Sequence, residues 1–114
     1  MIVIEFDELN INILSYLYIN PNSTTSKITK NILDSKDIND FRKNDSIIRY
    51  RIKTMEKSGL LYQTKHKKTS KYSLNNNFVI EICINGESIP GILFLVEDKY
   101  PIFIGFNKKL IKSL

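Results

Sequence analysis

Ten lysines and arginines crowd the stretch RKNDSIIRYRIKTMEKSGLLYQTKHKKTSKY, from Arg42 to Tyr72, against only two acids, Asp45 and Glu56. They are Arg42, Lys43, Arg49, Arg51, Lys53, Lys57, Lys65, Lys67, Lys68 and Lys71. The local balance is +8, whereas residues 1–41 carry −3 and residues 73–114 carry 0, so the chain's +5 is focused rather than spread. Cations gathered in this way neutralise phosphates and release their counterions. Three of the ten, Arg42, Arg49 and Arg51, are the chain's only arginines. Their planar forks suit guanine edges and phosphates better than an ammonium does.

Other chemistries find little to work with. There is no glycine-rich phosphate loop, no serine-histidine-acid set and no carboxylate pair near a histidine, so no enzyme is expected. Glu97 and Asp98 fall in a turn, where exposed acids are commonplace. The single Cys83 can form no internal disulfide, and the single His66 has no cysteine pair near it, so neither a metal nor a cofactor is expected. Cys83 alternates with Ile82 and Ile84, shares a face with Glu81, and reads as a small packed thiol.

At 114 residues the chain is long enough for one domain, or for a domain with an appended module too small to be stable by itself. The opening MIVIEFDELN lacks the basic start and apolar run of a secretory signal, and no apolar segment reaches membrane-spanning length. A cytoplasmic protein is expected.

The elements that must position the basic residues follow from periodicity. From Asp7 to Ile19, the residues Leu9, Ile13, Tyr16 and Leu17 fall on one side of a helix, with Asp7 placed to cap it and Glu8 favourable to its dipole. Asn20-Pro21-Asn22 stops this helix. A second, short helix runs roughly Thr25 to Leu33 and buries Ile28, Ile32 and Leu33. The segment Asp34 to Asn44 has no clear path, although Ile38 and Phe41 can pack back on the core as one extra turn. A third helix starts after Asn44 or Asp45, either of which can cap it, and ends at Ser58-Gly59 with Gly59 suited to a left-handed cap. Ile48, Ile52 and Met55 form its inner face. Ser46, Tyr50, Lys53, Thr54 and Lys57 form the outer one, flanked by Arg49, while Arg51 lies nearer the apolar edge and stretches its stem over the core rim.

Leu60-Leu61-Tyr62 and Lys71-Tyr72-Ser73-Leu74 read as the two arms of a hairpin whose connecting QTKHKKTS is a polar tip. Beyond Asn75-Asn76-Asn77 the segments FVIEICIN, GILFLVE and PIFIGF predict three strands. Asn85-Gly86 makes a tight turn, and Pro90-Gly91 breaks or bulges the second strand. Lys108 to Leu114 predicts a last helical turn with Leu110, Ile111 and Leu114 on one side. In GILFLVE both alternating faces, Ile92/Phe94/Val96 and Leu93/Leu95, are apolar and want cover. Candidates are an N-terminal Ile2-Val3-Ile4 strand, the helical core, or the same tail of a second subunit; the last is favoured, with help from the first. No polar cluster in the tail marks a small-molecule pocket.

Ile48-x3-Ile52-x2-Met55-Glu56-Lys57-Ser58-Gly59-Leu60-Leu61, followed by Lys71-Tyr72-Ser73-Leu74, resembles the recognition helix, wing and returning strand of winged helix-turn-helix transcription regulators. The run Ile13-Leu14-x2-Leu17-x-Ile19-Asn20-Pro21-Asn22-Ser23-Thr24-Thr25-x2-Ile28 resembles the first two helices of archaeal and bacterial members. The resemblance covers about residues 7 to 75. It implies an α+β fold, with a winged-helix domain over residues 1–75 and a β-rich extension over 76–114 as a dimerisation element. In that family the first half of the third helix enters the major groove and the wing touches the backbone or minor groove. Carried over, this implicates Ser46, Arg49, Tyr50 and Lys53 in the groove, and Lys65, His66, Lys67 and Lys68 on the wing. Arg51, Thr54, Lys57 and Lys71 complete the expected DNA-binding set. Two departures stand out: the long connection over 34–44, and a strand-rich tail in place of the C-terminal helix many relatives use to dimerise.

The expectation is therefore a sequence-specific regulator of transcription, a repressor, that binds double-stranded DNA as a homodimer through its C-terminal strands. The rival reading is a winged-helix module that docks RNA or an acidic protein surface, since a basic module of this shape does not by itself select duplex DNA.

Overall fold

Asp7 starts the first helix as its sequence predicts: its carboxylate accepts the Asn10 amide hydrogen at 3.0 Å, and α1 runs Glu8–Ile19. The computed structural model describes residues 4–96 and 100–111, without the side chains of 94–96. Expectations that fall on Ile2, Val3, Glu97, Asp98 and Leu114, or on the side chains of Phe94, Leu95 and Val96, lie outside the described residues. Ile4 is not in a strand but packs against the core. Asn20 closes α1 by donating from Nδ2 to the Tyr16 carbonyl at 3.0 Å. The second helix, α2, runs Thr25–Ile32 and is capped by Thr24, whose hydroxyl accepts the Lys27 amide at 3.2 Å.

The third helix is longer than expected. It begins at Ile38 and not after Asn44 or Asp45, and α3 spans Ile38–Lys57, 20 residues. The cap is Asp37, whose carboxylate accepts the Asp40 amide at 2.8 Å. Neither expected cap is free for that role. Asn44 donates from Nδ2 to the Asp34 carbonyl at 3.2 Å and to Ser35 Oγ at 3.0 Å, which ties the 34–37 loop down onto the helix. Asp45 is buried and turns inward. Of the two residues expected to pack back on the core, Phe41 is half-buried and Ile38 is exposed. The end is as predicted: Ser58 is the C-cap, and Gly59 takes φ +89°, a left-handed conformation in which any other residue but glycine would be strained.

β1 (Leu61–His66) and β2 (Thr69–Leu74) form an antiparallel hairpin with pairs from Leu61↔Leu74 to His66↔Thr69. The stretch read as a polar tip is therefore mostly strand, and the tip shrinks to Lys67-Lys68, with Lys67 at φ 57°. A ribbon exposed on both faces satisfies its backbone without needing apolar residues, so periodicity gave no sign of it. The base of the hairpin is anchored. Ser23 and Tyr72 exchange backbone hydrogen bonds at 3.1 and 2.8 Å, and the Ser73 hydroxyl accepts from the Asn22 amide at 2.9 Å.

A single 3-10 turn (Asn76–Phe78) leads into β3 (Val79–Ile84), β4 (Glu87–Val96) and β5 (Tyr100–Gly105), an antiparallel sheet in that order, and then α4 (Lys108–Ile111). Asn85 at φ 50° and Gly86 at φ 79° make the expected two-residue turn. Pro90-Gly91 neither breaks nor bulges β4, whose register stays uninterrupted on both sides. Pro90 is tolerated because its carbonyl, and with it the position of the missing N–H, faces β5 just past the end of that strand, where it accepts from Phe106 N at 3.0 Å. Gly91 is needed for space: a Cβ there would collide with the Ile104 carbonyl and come within 2.7 Å of the Phe103 ring.

The tail finds part of its cover in the helical core of its own chain, one of the three candidates. Ile92 is 0% exposed and joins Phe106 in the same core cluster as Ile13, Leu17, Ile28, Ile48, Ile52 and Met55. Asn107 fastens it by donating from its backbone to Ser15 Oγ at 2.7 Å and from Nδ2 to Asn12 Oδ1 at 2.7 Å. Tyr18 packs on Phe106 with ring centroids 5.0 Å apart. α1 is thus buried on two sides, by α2 and α3 through its Ile13 stripe and by the tail through Asn12, Ser15 and Tyr18. Cys83, read as packed, is exposed, because β3 runs on past the part of the sheet that α1 covers. The described residues form an α+β fold of four helices and two antiparallel sheets.

Candidate nucleic-acid interface

At about 100° per residue, Asn39, Arg42, Lys43, Ser46, Arg49, Tyr50, Lys53 and Lys57 fall within one sector of α3 roughly 120° wide. All eight are exposed, Tyr50 at 71%. The opposite sector holds Asp45, Ile48, Ile52 and Met55, buried against the rest of the fold. Twenty residues make a helix about 30 Å long, so the polar face is a ridge of that order. Sequence reasoning left Asn39, Arg42 and Lys43 off this ridge because it began the helix too late. The signal was present in Asp37-x-x-Asp40, a cap with an acid in the first turn.

The ridge is not cationic from end to end. Asp37 and Asp40 occupy the cap and first turn of α3, and Asp40 Oδ2 accepts the Lys36 amide at 3.0 Å. These carboxylates complement the helix dipole and repel phosphate. The cationic part therefore begins at Arg42, one turn in.

Arg49 is held from behind. Its Nε donates to Asp45 Oδ2 at 2.7 Å, with the arginine side chain 57% exposed and the aspartate nearly covered. Asp45 Oδ1 lies 2.9 Å from the Thr29 hydroxyl, which also lies 2.8 Å from the Thr25 carbonyl, so one hydroxyl hydrogen serves two acceptors. The chain Thr29–Asp45–Arg49 links α2 to the ridge. Nε is the only Arg49 nitrogen so engaged among the described residues, and the side chain as a whole is 57% exposed. A planar fork held through Nε keeps its two terminal nitrogens for bidentate contact with a guanine edge or a phosphate.

Not every expected residue joins the ridge. Arg51 lies on another side of α3, where its Nη1 donates to both oxygens of Asp7, at 2.7 and 2.9 Å. Thr54 is half-buried at the ridge border, and its hydroxyl donates back to the Tyr50 carbonyl at 3.1 Å. On the hairpin, Lys65, His66, Lys67, Lys68 and Lys71 are all exposed. The register splits them: Lys65 shares the ribbon face of Leu61 and Tyr72, His66 and Lys71 share the other, and Lys67-Lys68 form the tip. Tyr72 couples the hairpin to α3. Burial pushes its phenol above the usual range, the charge of Glu56 adds to this, and Arg49 works against it, so both α3 residues lie within electrostatic reach of β2.

Among the described residues no three His, Cys, Asp or Glu side chains gather to hold a metal ion, and no helix is long and apolar enough to cross a membrane. Compared with protein-family models, with curated proteins and with solved structures, the chain matches none.

Proposed function

We propose that the chain is a winged helix-turn-helix protein that binds double-stranded DNA with sequence preference and regulates transcription, as a repressor, by occupying its site as a homodimer. The observation that carries this reading is the α3 ridge, eight exposed polar residues from Asn39 to Lys57, followed in the chain by a lysine-tipped hairpin. A helix fits the B-DNA major groove, which is about 12 Å wide. Arg42, Ser46, Arg49 and Tyr50 stand where base edges and thymine methyl groups are met. Lys53, which lies between Arg42 and Ser46 around the helix, enters the groove with them, and Lys43 and Lys57 add charge toward its phosphates. The hairpin lysines add contacts to the backbone or minor groove, which set affinity and its salt dependence but not sequence.

The topology supports the same reading. Three helices are followed by a hairpin whose second strand pairs with the α1–α2 connection through Ser23 and Tyr72, and the charges of Arg49 and Glu56 of α3 act on the Tyr72 phenol.

The test is selection of bound fragments from random duplex DNA, followed by affinity measurement on selected and scrambled duplexes across a range of salt. A selected sequence that outbinds the scrambled one, with both weakening steeply as salt rises, is the expected result. Equal affinity for both at every salt concentration, or displacement of the probe more readily by RNA or an acidic protein than by duplex, would overturn it.

A further inference from the structure

The three-stranded sheet has two apolar faces, and the helical core covers one of them around Ile92 and Val79, leaving Ile102 at the far end of that face 38% exposed. Ile92 and Val79 point toward the helices and meet the core. Their neighbours along the strands point the other way. Strand alternation and the observed register place Ile80, Ile82, Ile84, Ile89, Leu93 and Phe103 on that outer face. None of the six belongs to the core cluster or packs on it, and Ile84 and Leu93 are 50% and 36% exposed. Gly91 and Gly105 lie in the same face beneath the Phe103 ring, which flattens the middle of the patch.

We propose that this face takes the same face of a second copy of the chain, in a contact that is weak in free solution and forms when DNA holds two copies side by side. Charge selects the occupant. The chain carries +5, yet the described residues of the face hold no charge except Glu87 at the rim, and Lys108 lies 2.8 Å from it. Two such faces related by a twofold axis bring no like charges together across their centres, and each rim offers one acid and one base to the other. A partner chosen by the +5 would be acidic and would seek the α3 ridge, not this patch.

Area sets the strength. Three strands about 4.8 Å apart and six residues long at about 3.4 Å per residue present roughly 300 Å², well short of the about 800 Å² per partner that stable complexes bury. Copies bound to adjacent half-sites are at millimolar effective concentration, enough to populate a contact of this size. The sheet is fastened to α1 by its other face, so pairing through the outer face leaves α3 and the hairpin uncovered.

The proposal rests on the DNA-binding reading for its second half only, and two measurements separate them. In amide-resolved nuclear magnetic resonance of the free protein, raising the concentration from micromolar to millimolar should shift signals of β3, β4 and β5 and leave those of α3 and the hairpin in place. No concentration dependence, or shifts confined elsewhere, would overturn the proposal whatever DNA does. On duplex carrying two half-sites, wild type should bind at least about tenfold tighter per copy than on one half-site. Ile84→Lys and Leu93→Lys, each checked for folding by circular dichroism, should lose that gain and keep single-site affinity. Retained cooperativity in both folded variants would overturn it. Loss of single-site binding by the wild type would instead refute the DNA reading and leave the self-association result standing.

Discussion

Arg51 of α3 grips Asp7, the cap of α1, through one nitrogen that lies 2.7 Å from Oδ2 and 2.9 Å from Oδ1. One carboxylate thereby caps α1 and pins α3 across it. The Asn10 amide, and after it the Arg51 guanidinium, hold the Asp7 carboxyl below its ordinary value of 3.8. A depressed folded-state value means that the stabilisation is fully present above the unfolded value and is lost as pH falls through the folded one. Urea unfolding should therefore show stability declining below about pH 4. Asp7→Asn, which keeps a competent cap, should make that decline shallower. Asp7→Ala should cost about 1–2 kcal/mol at neutral pH through the lost cap. Arg51→Ala should cost less than about 1 kcal/mol, because the pair is partly exposed, and should leave DNA affinity unchanged. A large affinity loss in a folded Arg51→Ala variant would put Arg51 back among the contact residues.

Arg49 and Asp45 make the opposite prediction. If the fork of Arg49 reads a base, Arg49→Ala should flatten preference among sequences by about 1–3 kcal/mol of discrimination. Asp45→Ala should act on both properties: it removes charge-assisted hydrogen bonds worth about 1–3 kcal/mol of stability, and it releases the guanidinium, so that discrimination falls although Arg49 is still present. Binding to a panel of point-substituted duplexes measures this directly. Full discrimination in a folded Asp45→Ala variant would show that the rear contact does not orient the fork.

Lys67 sits at the hairpin tip with positive φ, an exposed ammonium on a two-residue turn. Its replacement should weaken all duplexes alike and reduce the slope of log affinity against log salt by about one unit. Arg42→Ala differs in kind, because Arg42 lies on the ridge near the start of its cationic part, where a base contact shows as a sequence-dependent loss. Salt titrations of both variants on selected and scrambled duplexes separate the two roles.

How much of this was legible in the residues depended on which force shaped each element. α1, α2 and the end of α3 were readable because caps and apolar periodicity agree at Asp7, Ile13, Ile28, Ile48 and Gly59. The start of α3 was not, because Asn44 and Asp45 look like caps in sequence and are diverted in the fold, one to the 34–37 loop and the other to Thr29 and Arg49. The hairpin was underestimated because a ribbon exposed on both faces carries no apolar alternation. Pro90 misled in the same local way, since its effect depends on which neighbour its missing N–H faces. The second buried side of α1 was hinted at by Leu14 and Tyr18, apolar residues off the main stripe, but its partner lies some ninety residues away at Asn107. The charge of the ridge was readable from composition; its extension through Asn39, Arg42 and Lys43 needed the helix boundary.

The burial of Ile92 bears on the domain organisation that the resemblance implies. A tail merely appended to residues 1–75 would unfold separately, or its loss would leave the helical part intact. Ile92 instead lies at 0% exposure within the cluster that contains Ile13, Ile28 and Ile52. Its truncation to alanine should remove about 2–5 kcal/mol from the whole chain, with circular dichroism and tyrosine fluorescence melting together in one transition that moves to lower denaturant without splitting. Tyr18 provides an internal reporter at the junction, since it packs on Phe106 and donates to Glu81 at 3.4 Å. If the tail signals, followed at Val79 and Ile104 by hydrogen exchange, are lost in Ile92→Ala at denaturant concentrations where Ile28 and Ile48 keep their protection, the two segments are separate cooperative units and the shared core is not what holds the sheet in place.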